Sequence, residues 1–274
     1  MDETKYGWWL PQDISNHGPQ IDRLILVVHW VMLLLFVGWG AFYLYCLFKF
    51  RARDGHKAVY TPVKAVFTKY AEVAIVLVEV VLLFGLSTPV WRDYKNNPPA
   101  AKDALTIKMV AEQFAWNFHY SGKDGKFGHT EGSLIGSDNP IGLDPESAEG
   151  KDDIVTINQL HIPVNKPVIV EISTKDVIHA FNIPVLRVKQ DAIPGQMVPI
   201  WFTANQTGHY ELACAQLCGL GHYRMRADVL IDSPEDYAKW EAENAPPPAE
   251  APAAAAPPDQ PNGQPDSAPA PDKK

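Results

Sequence analysis

Residues Leu24–Phe48 contain no aspartate, glutamate, lysine or arginine. The run is longer than the roughly 20 apolar residues needed to cross a bilayer, so it commits the start of the chain to a membrane helix. A second apolar run, from about Tyr70 to Trp91, is interrupted only by Glu72 and Glu79 and predicts a second span. A cleaved signal peptide fits the first run poorly. The run begins late, exceeds a typical h-region, and no small-residue cleavage site follows it. Cys46 lies inside it, without a lipid-attachment context.

Lys49, Arg51, Arg53, Lys57, Lys64 and Lys69 crowd the connection between the spans, against Lys5 and Arg23 ahead of the first. The positive-inside bias places that connection in the cytoplasm. Both termini and everything after Trp91 then lie outside, which in a bacterium means an inner-membrane protein with its bulk in the periplasm. The expected divisions are an external segment over 1–23, a helical hairpin over 24–91, an external domain over 92–244 and a disordered proline- and alanine-rich tail over 245–274. That tail composition cannot bury a core. The net charge is −8, and residues 92–274 carry 25 acidic and 16 basic side chains. Nucleic acid is excluded as a natural partner by that sign.

The external part opens with a polar linker, RDYKNNPPAAKD. ALTIKMVAEQFAWNFHY alternates over parts of its length and reads as a strand, and residues 121–153 read as a long exposed loop. Short β-branched runs follow, separated by turns at Pro/Asn, Ile193-Pro194-Gly195 and Gln206-Thr207-Gly208. Strands at this spacing predict an antiparallel sandwich or barrel. SPEDYAKWEAENA, from Ser233, carries a capping pattern and predicts a short closing helix.

One stretch carries chemistry: ACAQLCGLGHYRMR, residues 213–226. It sits between the predicted strands GHYELA and RADVLI. A disulfide between Cys214 and Cys218 would close a very short loop and leave His222 and Met225 unexplained. Structural zinc wants a second ligand pair and no methionine. Thiolate, thioether and imidazole together suit copper. A mononuclear blue-copper site needs one cysteine, two histidines and a weak axial methionine, and this chain has one cysteine more. Two thiolates can bridge two coppers, each then needing a terminal histidine. His222 supplies one. For the other, His179 in DVIHAFNIP competes with His119, His129, His161 and His209, and periodicity does not choose.

CAQLCGLGHYRM resembles the binuclear copper (CuA) loop of subunit II of haem–copper cytochrome c oxidases. DVIHAFNIP and VKQDAIPG are similar to the segments around that family's first histidine ligand, and the two-helix anchor agrees. The resemblance covers roughly Leu24 to Asn244. It implies a two-helix transmembrane hairpin plus an all-β, cupredoxin-like Greek-key barrel. It implies His179 and His222 as terminal ligands, Cys214 and Cys218 as bridges, Met225 as the weak axial ligand of one copper, and the backbone carbonyl of Gln216 as that of the other. The implied partners are subunit I with its haems, the remaining oxidase subunits and a c-type cytochrome donor. The implied activity is passage of electrons inward for reduction of O2 to water, coupled to proton pumping.

The sequence departs from the family in three places. Between the cysteines stands Gln216 where the family has a glutamate that helps bind magnesium against subunit I, and an amide is the weaker ligand for so hard a cation. Where the family's electrons enter through a tryptophan, this chain has Phe114, with Trp116 two positions on and, along one strand, on the same face. Lys175 stands where many members have an acid that docks cytochrome c. These changes suggest a donor held in a supercomplex, such as alternative complex III. Glu72 matches a family acid at a proton-uptake path, and Glu79 lies about 10 Å deeper. Both are proton-path candidates. Rival readings are a quinol oxidase subunit II, which lacks the copper ligands, a Sco-type copper chaperone with one anchor helix and a thioredoxin-like domain, and a structural subunit with a disulfide.

Overall fold

The computed structural model describes residues 10–58, 60–62 and 65–246. The expected disordered tail lies, past residue 246, outside the described residues. Two helices pass the length and composition test for crossing a membrane, Gly18–Lys49 with 32 residues and Val66–Asn96 with 31. At 1.5 Å per residue each is about 45–48 Å long, well beyond a hydrocarbon core of about 30 Å. Their side chains are correspondingly uncovered, with Phe36 and Leu34 among the most exposed. The first helix, α1 (Gly18–Lys49), starts before the apolar run itself. The second comprises α2 (Val66–Val80), a wide π-helical turn over Val81–Ser87 and α3 (Thr88–Asn96). Pro89 has no N–H to give, and both the Thr88 hydroxyl (2.9 Å) and its backbone N–H reach back to the Leu83 carbonyl. The expected polar linker is therefore helical as far as Asn96: Arg92–Asn96 has left the apolar run but not the hydrogen-bond ladder.

Among the described residues, ten strands form the domain that follows the helices. The first sheet runs β3 (Ile154–Ile157), β2 (Ala115–Tyr120), β1 (Leu105–Glu112), β5 (Pro167–Thr174), β8 (Val198–Thr203). The second runs β4 (Gln159–Pro163), β10 (Arg226–Asp232), β9 (Gly208–Cys214), β6 (His179–Ile183), β7 (Val188–Ala192). Inward-facing positions alternate along β1, β5, β9 and β10. Trp116, Phe118 and Phe202 of the first sheet share one core with Phe181, Leu212 and Val229 of the second. This is the expected cupredoxin-like β-domain on a two-helix anchor. It lacks the α/β layering that the Sco-type reading requires. Helix α4 (Pro234–Asn244) closes it, with the Ser233 hydroxyl accepting from the Asp236 N–H at 3.1 Å.

Two expectations are corrected. Residues 104–120 form not one strand but an antiparallel hairpin, β1 and β2, turning at Gln113 and Phe114. The sandwich is mixed rather than purely antiparallel, because β1 pairs parallel with β5 and β10 parallel with β4.

The hairpin and the β-domain are joined by specific contacts. Ile14 is fully buried, donates its N–H to the Val185 carbonyl at 2.9 Å and accepts from Asn205 at 2.8 Å. The Arg187 guanidinium makes two bonds to Asp22 in α1, at 2.7 and 2.9 Å, and one to the Pro11 carbonyl at 2.7 Å. Arg187 itself holds a left-handed backbone, φ 56°, which non-glycine residues adopt only when their surroundings enforce it. Tyr94 of α3 stacks on Trp201 of β8 at 4.7 Å, with His17 beside them at 5.1 Å from Tyr94.

Burial lowers the His17 pKa, against the opposing pull of Asp13 and of the Arg187 backbone. The unfolded chain then takes up this proton first, so stability should fall as pH drops below about 6.5. One proton limits the slope to about 1.4 kcal/mol per pH unit. Thermal unfolding of the full chain in detergent at several pH values should show His17→Phe with a shallower acid loss than the parent. His119, also lowered by burial, keeps the residual slope in both. Identical slopes in parent and variant would remove His17 as a source.

Candidate metal centre

Three adjacent strands of the second sheet deliver the donors to one end of the domain. His179 opens β6 and Cys214 closes β9, while Met225 immediately precedes β10. The register is fixed by Phe181 opposite Cys214, by the Ala215 N–H on the Ala180 carbonyl at 3.1 Å, and by the Cys214 N–H on the Met225 carbonyl at 3.0 Å. Between Cys214 and Met225 the chain makes a tight loop ending in a 3-10 turn at His222–Arg224.

The six expected donors converge. The two thiols are free, with their sulfurs 3.8 Å apart. His179 Nδ1 lies 4.0 Å from Cys214 Sγ, His222 Nδ1 lies 3.6 Å from Cys218 Sγ, and Met225 Sδ lies 3.7 Å from Cys218 Sγ. The Gln216 carbonyl accepts from the Cys214 thiol at 3.1 Å, while the Gln216 side chain faces solvent. Around a first-row ion with metal–sulfur bonds near 2.3 Å and metal–nitrogen bonds near 2.0 Å, tetrahedral neighbours stand roughly 3.5–3.8 Å apart. The three spacings around Cys218 Sγ fall in that range, and the His179–Cys214 spacing is slightly wider at 4.0 Å. The ligand atoms of His179, Cys214 and Cys218 all lie within 4.8 Å of one another, and the two imidazoles approach different sulfurs. Soft sulfur, imidazole, thioether and a carbonyl form a set suited to copper.

The surroundings orient these groups. His179 is fully buried and its Nε2 contacts Asp176 Oδ1 at 2.9 Å. An Nε2–H given to that carboxylate leaves Nδ1 with its lone pair toward Cys214, the arrangement typical of metal-bound histidines. Burial works against charge on Asp176, but hydrogen bonds from His179, Gln113 and Val177 outweigh it and hold the carboxyl below its usual range. Burial, reinforced by Cys214, pushes the Cys218 thiol up to about 11, so metal binding must displace its proton.

The two aromatic candidates have different situations. Trp116 is fully buried, edge-on to His179 at 6.1 Å and to Phe181 at 6.2 Å. Phe114, in the turn, is partly buried against the ligand loop. The shared face expected for them does not exist, because the turn at Gln113–Phe114 interrupts the alternation. Lys175 is not a free docking charge: it is ion-paired with Glu112 and donates to the Pro140 carbonyl at 2.8 Å. In the membrane spans Glu72 is exposed. Glu79 borders a groove of about 330 Å³ between the helices, with Leu34, Ala74 and Val78. Neither glutamate approaches the donor cluster.

Nothing local in the sequence marks Gln113, and the only signal for Asp176 is its place at the start of DVIHAFNIP, three residues before His179. The two loop glycines matter as well. A methyl group at Gly221 would lie 2.4 Å from the Phe114 ring. Gly221→Ala should therefore cost about 1–3 kcal/mol by overpacking. In a double-mutant cycle with Phe114→Ala most of that cost should vanish. Additive thermal-unfolding losses would show that the contact is not the cause.

Residues 105–232 match the family described as Cytochrome C oxidase subunit II, periplasmic domain. The alternative cytochrome c oxidase subunit 2 of Bradyrhizobium diazoefficiens is 34% identical over 235 residues, spanning 85% of this chain and 82% of its own length. The cytochrome c oxidase subunit 2 of Cereibacter sphaeroides is 29% identical, spanning 72% of this chain and 67% of its own. Among solved structures, the periplasmic domain of subunit II of cytochrome oxidase of Bradyrhizobium japonicum is 32% identical, spanning 54% of this chain and 96% of its own, with a TM-score of 0.40. The family match lies on the domain that carries the donor cluster, and the likeness to the first relative covers more of the chain than that domain. The chain belongs to the cytochrome c oxidase subunit II family and is a component of an oxidoreductase complex.

Proposed function

We infer that the external domain holds a binuclear copper centre that accepts electrons from a c-type haem protein and passes them inward to the haem-bearing subunit I. That subunit would reduce O2 to water with proton pumping. The observation that carries this reading is the convergence of two thiols, two imidazole Nδ1 atoms, a thioether and a carbonyl. A copper pair held by these residues would supply one-electron transfer with little change at either ion.

The protein supplies the rest. His179, His222, Cys214 and Cys218 would hold the copper, with Met225 Sδ and the Gln216 carbonyl as the weaker donors. Asp176 holds the His179 tautomer, and a rigid pair of sheets limits motion of the donors. Trp116 and Phe181 keep water from the His179 side. Electrons would enter past Phe114, which lies on the ligand loop, with Trp116 behind His179 as the second ring. Around the loop, Leu217, Leu220 and Tyr223 are exposed and offer an apolar surface for docking. A second metal, magnesium at the interface with subunit I, would have only the amide of Gln216 from this loop. Glu72 and Glu79 remain the proton-path candidates.

Orientation follows the basic connection between the helices, with the β-domain in the periplasm of a bacterial inner membrane. A donor held in a supercomplex, of the alternative complex III kind, accords with a docking rim whose lysine is already paired. Fast turnover on free cytochrome c, with no copurifying haem complex, would overturn the supercomplex. The central reading is tested by copper content and electron paramagnetic resonance of the purified full chain. Two coppers per chain and one electron spread over two equivalent nuclei are expected. One copper with a single-nucleus pattern, or none, would overturn it.

A further inference from the structure

Gln113 carries no metal donor, yet it touches both halves of the donor set. Its backbone N–H donates to Asp176 Oδ2 at 2.7 Å, and the other oxygen of that carboxylate holds His179 Nε2 at 2.9 Å. Its side-chain Nε2 donates to the Cys218 carbonyl at 2.6 Å. The residue sits in the β1–β2 turn, 63 positions from Asp176 and 105 from Cys218. The turn is itself fixed to the corner after β5: the Lys175 N–H donates to the Ala111 carbonyl at 3.1 Å, and Lys175 pairs with Glu112. On the loop side, Gly219 has φ 132°, and a Cβ there would lie 2.7 Å from Gln113 Nε2. The close approach requires glycine.

We propose that Gln113 is a positioning residue for the metal centre, tying the His179 segment to the Cys218–Met225 loop so that the donors are set before metal arrives. The proposal rests on the copper reading given above. Its logic is geometric. The loop's own hydrogen bonds fix its ends: Cys214 is tied to Met225, and His222 to the Gly219 carbonyl at 3.2 Å. Cys218, in the middle, has its carbonyl held from outside the loop by Gln113. Without that donor, Cys218 loses its tie to the turn that also holds Asp176 and, through it, His179. The bond from the Gln113 backbone to Asp176 survives any side-chain substitution, so a variant here isolates the Cys218 arm.

The test uses the full chain in detergent, with and without copper. Gln113→Leu removes the donor at similar size, and Gln113→Glu replaces it with an acceptor. Both should weaken copper retention against a chelator by about 10- to 100-fold, as loss of an outer-shell partner typically does. Both should also alter the hyperfine pattern of the copper that remains. In the copper-free chain, amide hydrogen exchange over residues 218–225 should accelerate in Gln113→Leu while the strands exchange as before. That measurement also covers a variant that loads copper too poorly for spectroscopy. Parental copper retention and hyperfine pattern in both variants, or parental exchange in the loop, would overturn the proposal. A parent chain that binds no copper would instead overturn the underlying reading of the site.

Discussion

Cys218→Ser is expected to reduce the copper content of the full chain from two to at most one, and to replace a two-nucleus hyperfine pattern with a single-nucleus one or none. The sulfur of Cys218 is the hub of the cluster: Cys214 Sγ, His222 Nδ1 and Met225 Sδ all lie within 3.6–3.8 Å of it. A serine hydroxyl is a poor bridge, because soft metals favour thiolate over oxygen and an alcohol does not ionise near neutral pH. The fold should survive, since one oxygen replaces one sulfur at the rim of a core whose large side chains, such as Trp116, Phe118 and Phe202, are untouched. Met225→Leu provides the contrast. It removes the thioether proposed as a weak donor at nearly constant volume, so two coppers should remain while the reduction potential shifts. Equal loss of copper in the two variants would contradict the division into bridging and axial roles.

The second large effect is expected at Trp116. It is fully buried, and removing so large a ring from a packed core typically costs 3–5 kcal/mol. Trp116→Ala should lower the unfolding temperature by many degrees and loosen copper as well, because the ring forms one wall beside His179. Trp116→Phe decides what the indole contributes. If Trp116 acts only in packing, the phenyl ring should recover most of the stability and leave the rate of electron acceptance unchanged. Restored stability with slowed electron acceptance, measured by flash reduction of the oxidase, would place the indole on the electron route and move attention away from Phe114.

The donors were legible in the sequence to the degree that they are local. Cys214, Cys218, His222 and Met225 fall within one loop, and their residue types limit the metal. His179 reaches the site only because β6 pairs with β9, a fact that no window of sequence contains. Family resemblance supplied it. The hairpin turn at Gln113–Phe114 was hidden because β1 and β2 both alternate, and neither glycine nor proline marks the break between them. The parallel pairings were hidden for the related reason that alternation reports a buried face but not strand direction. Lys175 read as the replacement of a docking acid, and its partners Glu112 and Pro140 were not legible because the fold brings them to it. Gln113 was invisible because its importance lies entirely in two long-range hydrogen bonds.

The grip of Arg187 on Asp22 and Pro11 bears on timing. Electron transfer between redox groups slows steeply with separation, so a head swinging on a loose tether would pass charge only in its rare close poses. Its throughput would then follow its tumbling. An arginine that bolts the head to the first turns of the first apolar helix, together with the Tyr94–Trp201 stack on the second, fixes the distance of the ligand loop from both helices. Under the proposed function, the interval between receiving and handing on an electron would then depend on one fixed gap instead of on a search.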